Sequence, residues 1–268
     1  MPIVDWLTQP YSQYFPSDLL AVLSAMVWGQ KDGLTPYYRD LFLQTGLLHL
    51  LVLSGQNISL MVGFFEWTGE YFGRTVKLCI QLLISLFYLS VFFTEPSIVR
   101  ASIMSVVTTL SLLMQKTVWS LPILLFTAFI MLIVRPEWIA SISFWLSFSA
   151  TFGIVVFYQP LREYCRVRKI KSSNYFVTTF LISLSAQILT TPLILLFFRE
   201  TTLIALPMNV LVGWLVEPIM VLGFFVSFAG HIPFVGHIIS VPLFGLLKLF
   251  MEIVRYGYEI GKFMTIRI

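Results

Sequence analysis

The 268-residue chain is 58% hydrophobic and only 11% charged, with a mean hydropathy of +0.88. A soluble globular domain carries about 25% charged residues. The composition therefore excludes a water-facing globular surface and predicts a polytopic membrane protein, an all-α transmembrane bundle of about eight spans. Seventeen basic against thirteen acidic residues leave a net charge of +4, so distribution matters more than total. The two cysteines, Cys79 and Cys165, form no disulfide framework. His49, His231 and His237 have no ligand spacing, so neither a metal nor a cofactor is expected.

Residues 1–16 form an N-terminal segment without the basic and apolar regions of a cleavable signal. Residues 16–29 are a first short apolar helix, with Ser17 as N-cap and Asp18 in the first turn. Residues 33–46 are polar and aromatic and read as an amphipathic helix lying at the interface. Apolar segments follow at residues 47–67, 76–93, 97–114, 118–134 and 138–158, with charged or proline-containing turns between them. Serines 141, 143, 147 and 149 with Thr151 stud the last of these, as close helix packing requires. Residues 159–174 are the most basic stretch, carrying Arg162, Arg166, Arg168, Lys169 and Lys171 against Glu163. The positive-inside rule makes this loop cytoplasmic, and alternation then places Arg74, Lys77 and Lys116 inside as well. Residues 175–198 form another span, with Gln187 and Pro192 near its end. Residues 202–229 are interrupted by Pro207, Asn209, Glu217 and Pro218, which predicts two half-helices or a sharp kink. Residues 236–260 close a single integral domain with no long hydrophilic linker. A full, kinked span at 202–229 places the C-terminus outside.

The polar residues inside these runs are the candidates for function. His49, Ser54, Gly55, Gln56 and Asn57 interrupt the segment at 47–67. Unsatisfied polar groups cost several kcal/mol each in hydrocarbon, so these line a wet cavity or pair with other helices. Gly55 lets the backbone leave helical geometry at that point. Arg100 and Glu217 are ionisable groups within spans, which by their cost mark functional positions. Arg100 follows Pro96, where the helix dipole disfavours a cation, so either a partner or polyanion holds it or its stem snorkels to the headgroups. His49 and Ser54 are five residues apart and point about 140° apart on a helix. No nucleophile elbow surrounds Ser54, so catalysis is not expected.

The order of these motifs resembles the membrane-embedded domain of the ComEC-type competence family. Residues 20–46 look like its first helix and amphipathic segment, and Leu48 to Gly55 (LHLLVLSG) resembles its HLLxxSG signature. Pro96 to Ala101 with Met104 is similar to PSxxRAxxM, and Ser143 to Ala150 to FxLSFxA. Gln187 through Pro192, then Asn209 and Pro218, follow its downstream pattern. Asn57 stands where many members carry a second histidine. The resemblance implies a multi-pass channel in the cytoplasmic membrane that passes single-stranded DNA during natural transformation. It also implies other competence proteins (a DNA receptor, a nuclease and a cytoplasmic motor) as partners, within the lipid bilayer and with scope for oligomerisation. Under it, His49, Ser54, Gly55, Gln56, Asn57, Arg100, Gln187, Asn209 and Glu217 line the path. Pro96, Pro192, Pro207 and Pro218 break the helices, and the 159–174 loop forms a basic inner mouth. The family's soluble nuclease-like and OB domains are not found in these residues. A secondary transporter of a small anion or metabolite is the alternative, with an intramembrane hydrolase behind it.

Overall fold

A computed structural model of the chain describes residues 2–51, 55–66, 71–168 and 174–267, with the backbone alone for Pro2, Gln56, Ser59, residues 64–66 and residues 266–267. Helices α1 (Pro2–Thr8), α2 (Tyr11–Tyr14), α3 (Ser17–Trp28) and α4 (Pro36–Gln44) lead to a 3₁₀ turn at Leu48–Leu51. Helices α5 (Gly55–Glu66), α6 (Arg74–Val91), α7 (Pro96–Leu113) and α8 (Ser120–Val134) follow, then a second 3₁₀ turn at Pro136–Ala140. Next come α9 (Ile142–Val167) and α10 (Tyr175–Phe198), strand β1 (Glu200–Thr202), helices α11 (Ala205–Ala229) and α12 (Pro233–Met264), and strand β2 (Thr265–Arg267). Among the described residues six helices, α6, α7, α9, α10, α11 and α12, are long and apolar enough to cross a membrane, and α3 and α8 are shorter apolar helices. Leu125, Phe126, Phe129 and Ile133 of α8 are all exposed. Such a surface suits lipid rather than water. The protein is a multi-pass, all-α membrane protein.

The helices gather into two compact units, residues 1–53 with 200–268, and residues 54–199. In the first, α11 buries Met208, Val212, Leu215, Ile219 and Val226, a stripe at helical spacing that packs on α3 and α12. A buried polar node joins α2, α3 and α11. The Tyr11 hydroxyl lies 2.8 Å from the Gly223 carbonyl and 2.7 Å from Ser227 Oγ, and Trp28 Nε1 donates to Ser227 Oγ at 2.8 Å. On α12 the buried face runs through Leu243, Leu247, Phe250 and Val254 to Gly257 and Gly261. The C-terminal end of α4 docks against those glycines, with the Gln44 backbone against Gly261. Strands β1 and β2 pair antiparallel, Thr202 opposite Thr265.

In the second unit Val99, Met131, Trp138 and Phe144 form a core joined by Leu89, Ile103 and Phe148. Helices α9 and α10 pack so closely that a Cβ on Gly153 would strike the backbone of Ser185. Arg74 Nη2 donates to the Leu112 carbonyl at 3.3 Å, so the start of α6 lies beside the end of α7. The basic residues Arg74, Lys77 and Lys116 thus share one end of this unit, as alternating spans require.

The prolines correct part of the sequence reading. α11 runs unbroken from Ala205 to Ala229 in place of two half-helices. Pro207 falls in its first turn, where the missing N–H costs nothing. Pro218 removes one bond within a helix held on both sides by its buried stripe. α10 likewise continues through Pro192, while Pro96 is the first residue of α7. The basic stretch also differs from a loop, because α9 continues to Val167 and carries Arg162 and Arg166, with Arg168 just beyond. Cations are favoured at a helix C-terminus, and Arg166 pairs with Glu163 at 3.5 Å one turn back. Lys169 and Lys171 lie outside the described residues.

Candidate functional site

Proline at the first position of α7 fixes where that helix begins, and Arg100 falls on its fifth residue, one residue deeper than the sequence indicates. The side chain is only 8% exposed. Its Nη1 donates to Thr151 Oγ1 of α9, and that hydroxyl back-bonds to the Ser147 carbonyl at 3.0 Å. The Phe148 ring lies alongside, 5.9 Å from the guanidinium carbon. On the opposite side stands Gly55, the first residue of α5. A Cβ there would come within 2.5 Å of Arg100 Nη2 and 2.7 Å of the Ala101 Cβ. Only a residue without a side chain leaves room for the guanidinium.

Three helices therefore converge on one cation. Among the described residues the ion pairs join Arg135 with Glu137, Arg166 with Glu163, Arg255 with Glu252 and Lys262 with Glu259, and none includes Arg100. Its Nε is buried without a hydrogen-bond partner. Taking an ion out of water costs several kcal/mol even after relaxation. One charge-assisted hydrogen bond returns about 1.5–3 kcal/mol and an aromatic face about 0.5–2 kcal/mol.

The other sequence candidates fall in different places. Asn57 is buried in the first turn of α5, in the same unit as Arg100. Gln187 is half-buried on α10. His49 belongs to the other unit, exposed on the first 3₁₀ turn, with its Nδ1 3.2 Å from the Gly46 carbonyl. Asn209 and Glu217 lie on α11, half-buried and exposed respectively. Ser54 and the Gln56 side chain lie outside the described residues. Phe148 lay within the stretch resembling FxLSFxA, and Thr151 had no separate signal in the sequence. Thr151 was one of five Ser and Thr hydroxyls in residues 141–151, and only the approach of α7 singles it out.

A second polar cluster lies where α4 meets α12. A cleft of about 340 Å³ is lined by Asp40, Gln44, Lys262 and Thr265. Each lining group is already engaged. Tyr258 donates to Asp40 at 2.7 Å, Thr265 donates to Gln44, and Lys262 pairs with Glu259 at 3.0 Å. Nearby, Tyr38 donates to Asp18 at 3.0 Å. Burial, and then the Asp18 carboxylate, push the Tyr38 phenol above its ordinary range. These bonds hold the amphipathic helix in place.

Residues 26–262 match the model of the Competence protein family. A protein of Aquifex aeolicus (strain VF5), described as "Uncharacterized protein", is 29% identical over 221 residues, which cover 81% of this chain and 49% of that one. ComE operon protein 3 of Bacillus subtilis (strain 168) is 25% identical over 198 residues, 73% of this chain and 24% of that one. The chain spans half or less of the length of these curated relatives. No solved structure matches.

Proposed function

Because the chain belongs to the competence protein family, we propose that it forms a conduit for single-stranded DNA across the cytoplasmic membrane during natural transformation. The observation that carries this reading is a buried arginine, with no carboxylate partner among the described residues, where three helices of a membrane bundle meet. A polyanion moving through a membrane needs sparse cationic contacts and neutral hydrogen-bonding groups, because a dense positive lining would trap it. Arg100 supplies the first, and Asn57 and Gln187 of the same unit supply the second. Arg162, Arg166 and Arg168 at the end of α9 give an inner mouth that receives the strand electrostatically. In this role the protein is not an enzyme. It works with a DNA receptor, a nuclease and a cytoplasmic motor, and a second copy of the chain can complete the path. The transporter alternative rested on a break within residues 202–229 and on Glu217, and the continuous α11 removes the first of these supports.

The test is uptake of labelled DNA by a deletion strain complemented with wild type, Arg100→Ala or His49→Ala. Surface binding retained with internal DNA lost in the deletion and in Arg100→Ala is the expected result. Normal internalisation in the deletion strain refutes the DNA reading.

A further inference from the structure

We infer that Trp214 and Glu217 on α11 form a wall that meets the bases of the strand, the indole stacking on a base and the carboxylate accepting from base amino groups. The inference rests on the proposed conduit for single-stranded DNA, and Arg100 has no part in it. Glu217 stands at the middle of the 25-residue α11, twelve residues from Ala205 and twelve from Ala229, about 18 Å from either end. The hydrocarbon core of a bilayer is about 30 Å thick, so sliding the helix along its axis still leaves Glu217 about 12 Å from the nearer headgroups. Long lysine and arginine stems escape to the headgroups from near a helix end, whereas a glutamate at mid-helix has only two methylenes. Glu217 lies off the buried stripe of Met208, Val212, Leu215 and Ile219 and is exposed. Among the described residues it has no hydrogen-bond or ion-pair partner. An ionisable group at this depth belongs against water or a polar partner rather than acyl chains. Trp214, one turn earlier on the same face, is exposed as well. Tryptophan favours the membrane interfaces, yet this one lies only about 5 Å along the axis from the helix midpoint.

Two side chains ill-suited to hydrocarbon thus share the exposed face of one spanning helix, and their chemistry selects the part of the strand they meet. A carboxylate repels phosphate, so the backbone turns away from α11 and the bases turn towards it. Every base has a π-face on which an indole stacks without sequence choice. Cytosine, adenine and guanine carry exocyclic amino groups that donate to a carboxylate, and thymine carries none. Pro218 has no N–H to give the Trp214 carbonyl, so the same turn holds a backbone acceptor besides. A second copy of the chain fits this face less well, because a two-fold contact centred on it sets Glu217 against its own counterpart, like charge on like.

The test uses the purified full chain in phosphatidylcholine nanodiscs, titrated with labelled oligodeoxycytidine, oligothymidine and an abasic oligonucleotide of equal length. Trp214→Ala is expected to weaken binding of both base-carrying strands by at least about fivefold and to leave the abasic strand unchanged. Glu217→Ala is expected to abolish the preference for cytidine over thymidine, with oligothymidine bound no more weakly than by wild type. Both side chains are exposed, so the variants keep the fold, and unfolding midpoints matching wild type check this. A second readout replaces the native cysteines (Cys79→Ser, Cys165→Ser) and introduces Glu217→Cys. A charged, water-borne thiol reagent is expected to label that position, and added oligodeoxycytidine to slow the labelling. Labelling by a lipid-soluble reagent alone places the face in lipid and overturns the inference. Disulfide cross-linking of two copies through Glu217→Cys assigns the face to a second copy and overturns it equally. So does equal binding of all three strands by wild type and both alanine variants. In cells, DNA uptake lost in the deletion strain but normal with Trp214→Ala and Glu217→Ala leaves the conduit standing and removes this wall. Normal uptake in the deletion strain removes the conduit itself.

Discussion

Replacing Gly261 with alanine tests how closely α4 is docked on α12. The added Cβ would fall well inside contact of the Gln44 carbonyl oxygen, 3.1 Å from its carbonyl carbon and 3.1 Å from Ile204 Cδ1. That carbonyl is backbone, and the Gln44 side chain is itself tied to Thr265, so it cannot swing aside as a flexible side chain would. One helix must move. Overpacking of this kind costs about 1–3 kcal/mol. Alanine in a helix returns about 1 kcal/mol relative to glycine, so the net effect alone is ambiguous. Gly245 on the same helix resolves it, because a Cβ there meets nothing within 4 Å. Gly245→Ala receives the propensity gain without the strain. The difference between the two variants cancels propensity and isolates about 1–3 kcal/mol of strain. Thermal unfolding of both in one detergent, followed by intrinsic tryptophan fluorescence, reads that difference. Gly245→Ala should match or exceed the wild-type midpoint, and Gly261→Ala should fall below Gly245→Ala. Equal midpoints for the two variants refute the close approach of α4.

Ser227→Ala removes the hydroxyl that accepts from Trp28 at 2.8 Å, leaving the indole N–H with Tyr11 at 3.2 Å. A loss of about 1–3 kcal/mol in unfolding free energy is expected, and an unchanged midpoint would show that the node adds nothing. Pro218→Ala should raise the midpoint, because it restores a bond to an already continuous helix. A lower midpoint would mean that the proline's geometry is required. The raised Tyr38 phenol sets a pH dependence. Folding favours the protonated form, so its contribution is complete below the ordinary value of about 10 and is lost as pH rises through the higher folded value. Tyr38→Phe should flatten the decline in thermal midpoint on the alkaline side, and a parallel decline in both proteins would assign it to other groups.

The spans were legible because bilayer thickness imposes a length on apolar runs. Residues 175–198 read as a span are α10, end to end. Where charge and proline were used as punctuation, the reading failed in a consistent direction. A proline removes one hydrogen bond, and a stripe of buried residues running from Met208 to Val226 outweighs that loss. The arginines after Gln159 likewise read as a loop from their charge, yet a helix end is where cations are favoured. Both errors come from treating a local penalty as decisive when packing along a whole helix is larger.

The candidate site divides along the same line. Arg100 was visible from sequence because an ionisable group in an apolar run has few inexpensive explanations. That Gly55 and Thr151 are its neighbours was not, since they come from helices some fifty residues distant on either side, and nothing local separates Thr151 from Ser149. The glycines at 257 and 261 did carry a signal, the four-residue spacing of small residues that lets backbones approach. Only the structure shows that what approaches is the end of the amphipathic helix α4. Burial of Arg100 sharpens what sequence alone could pose. A cation at a helix start can reach the headgroups through its flexible stem, but a guanidinium held by Thr151 and walled by Phe148 cannot. Its charge must then be answered from inside the protein, and among the described residues no carboxylate does so.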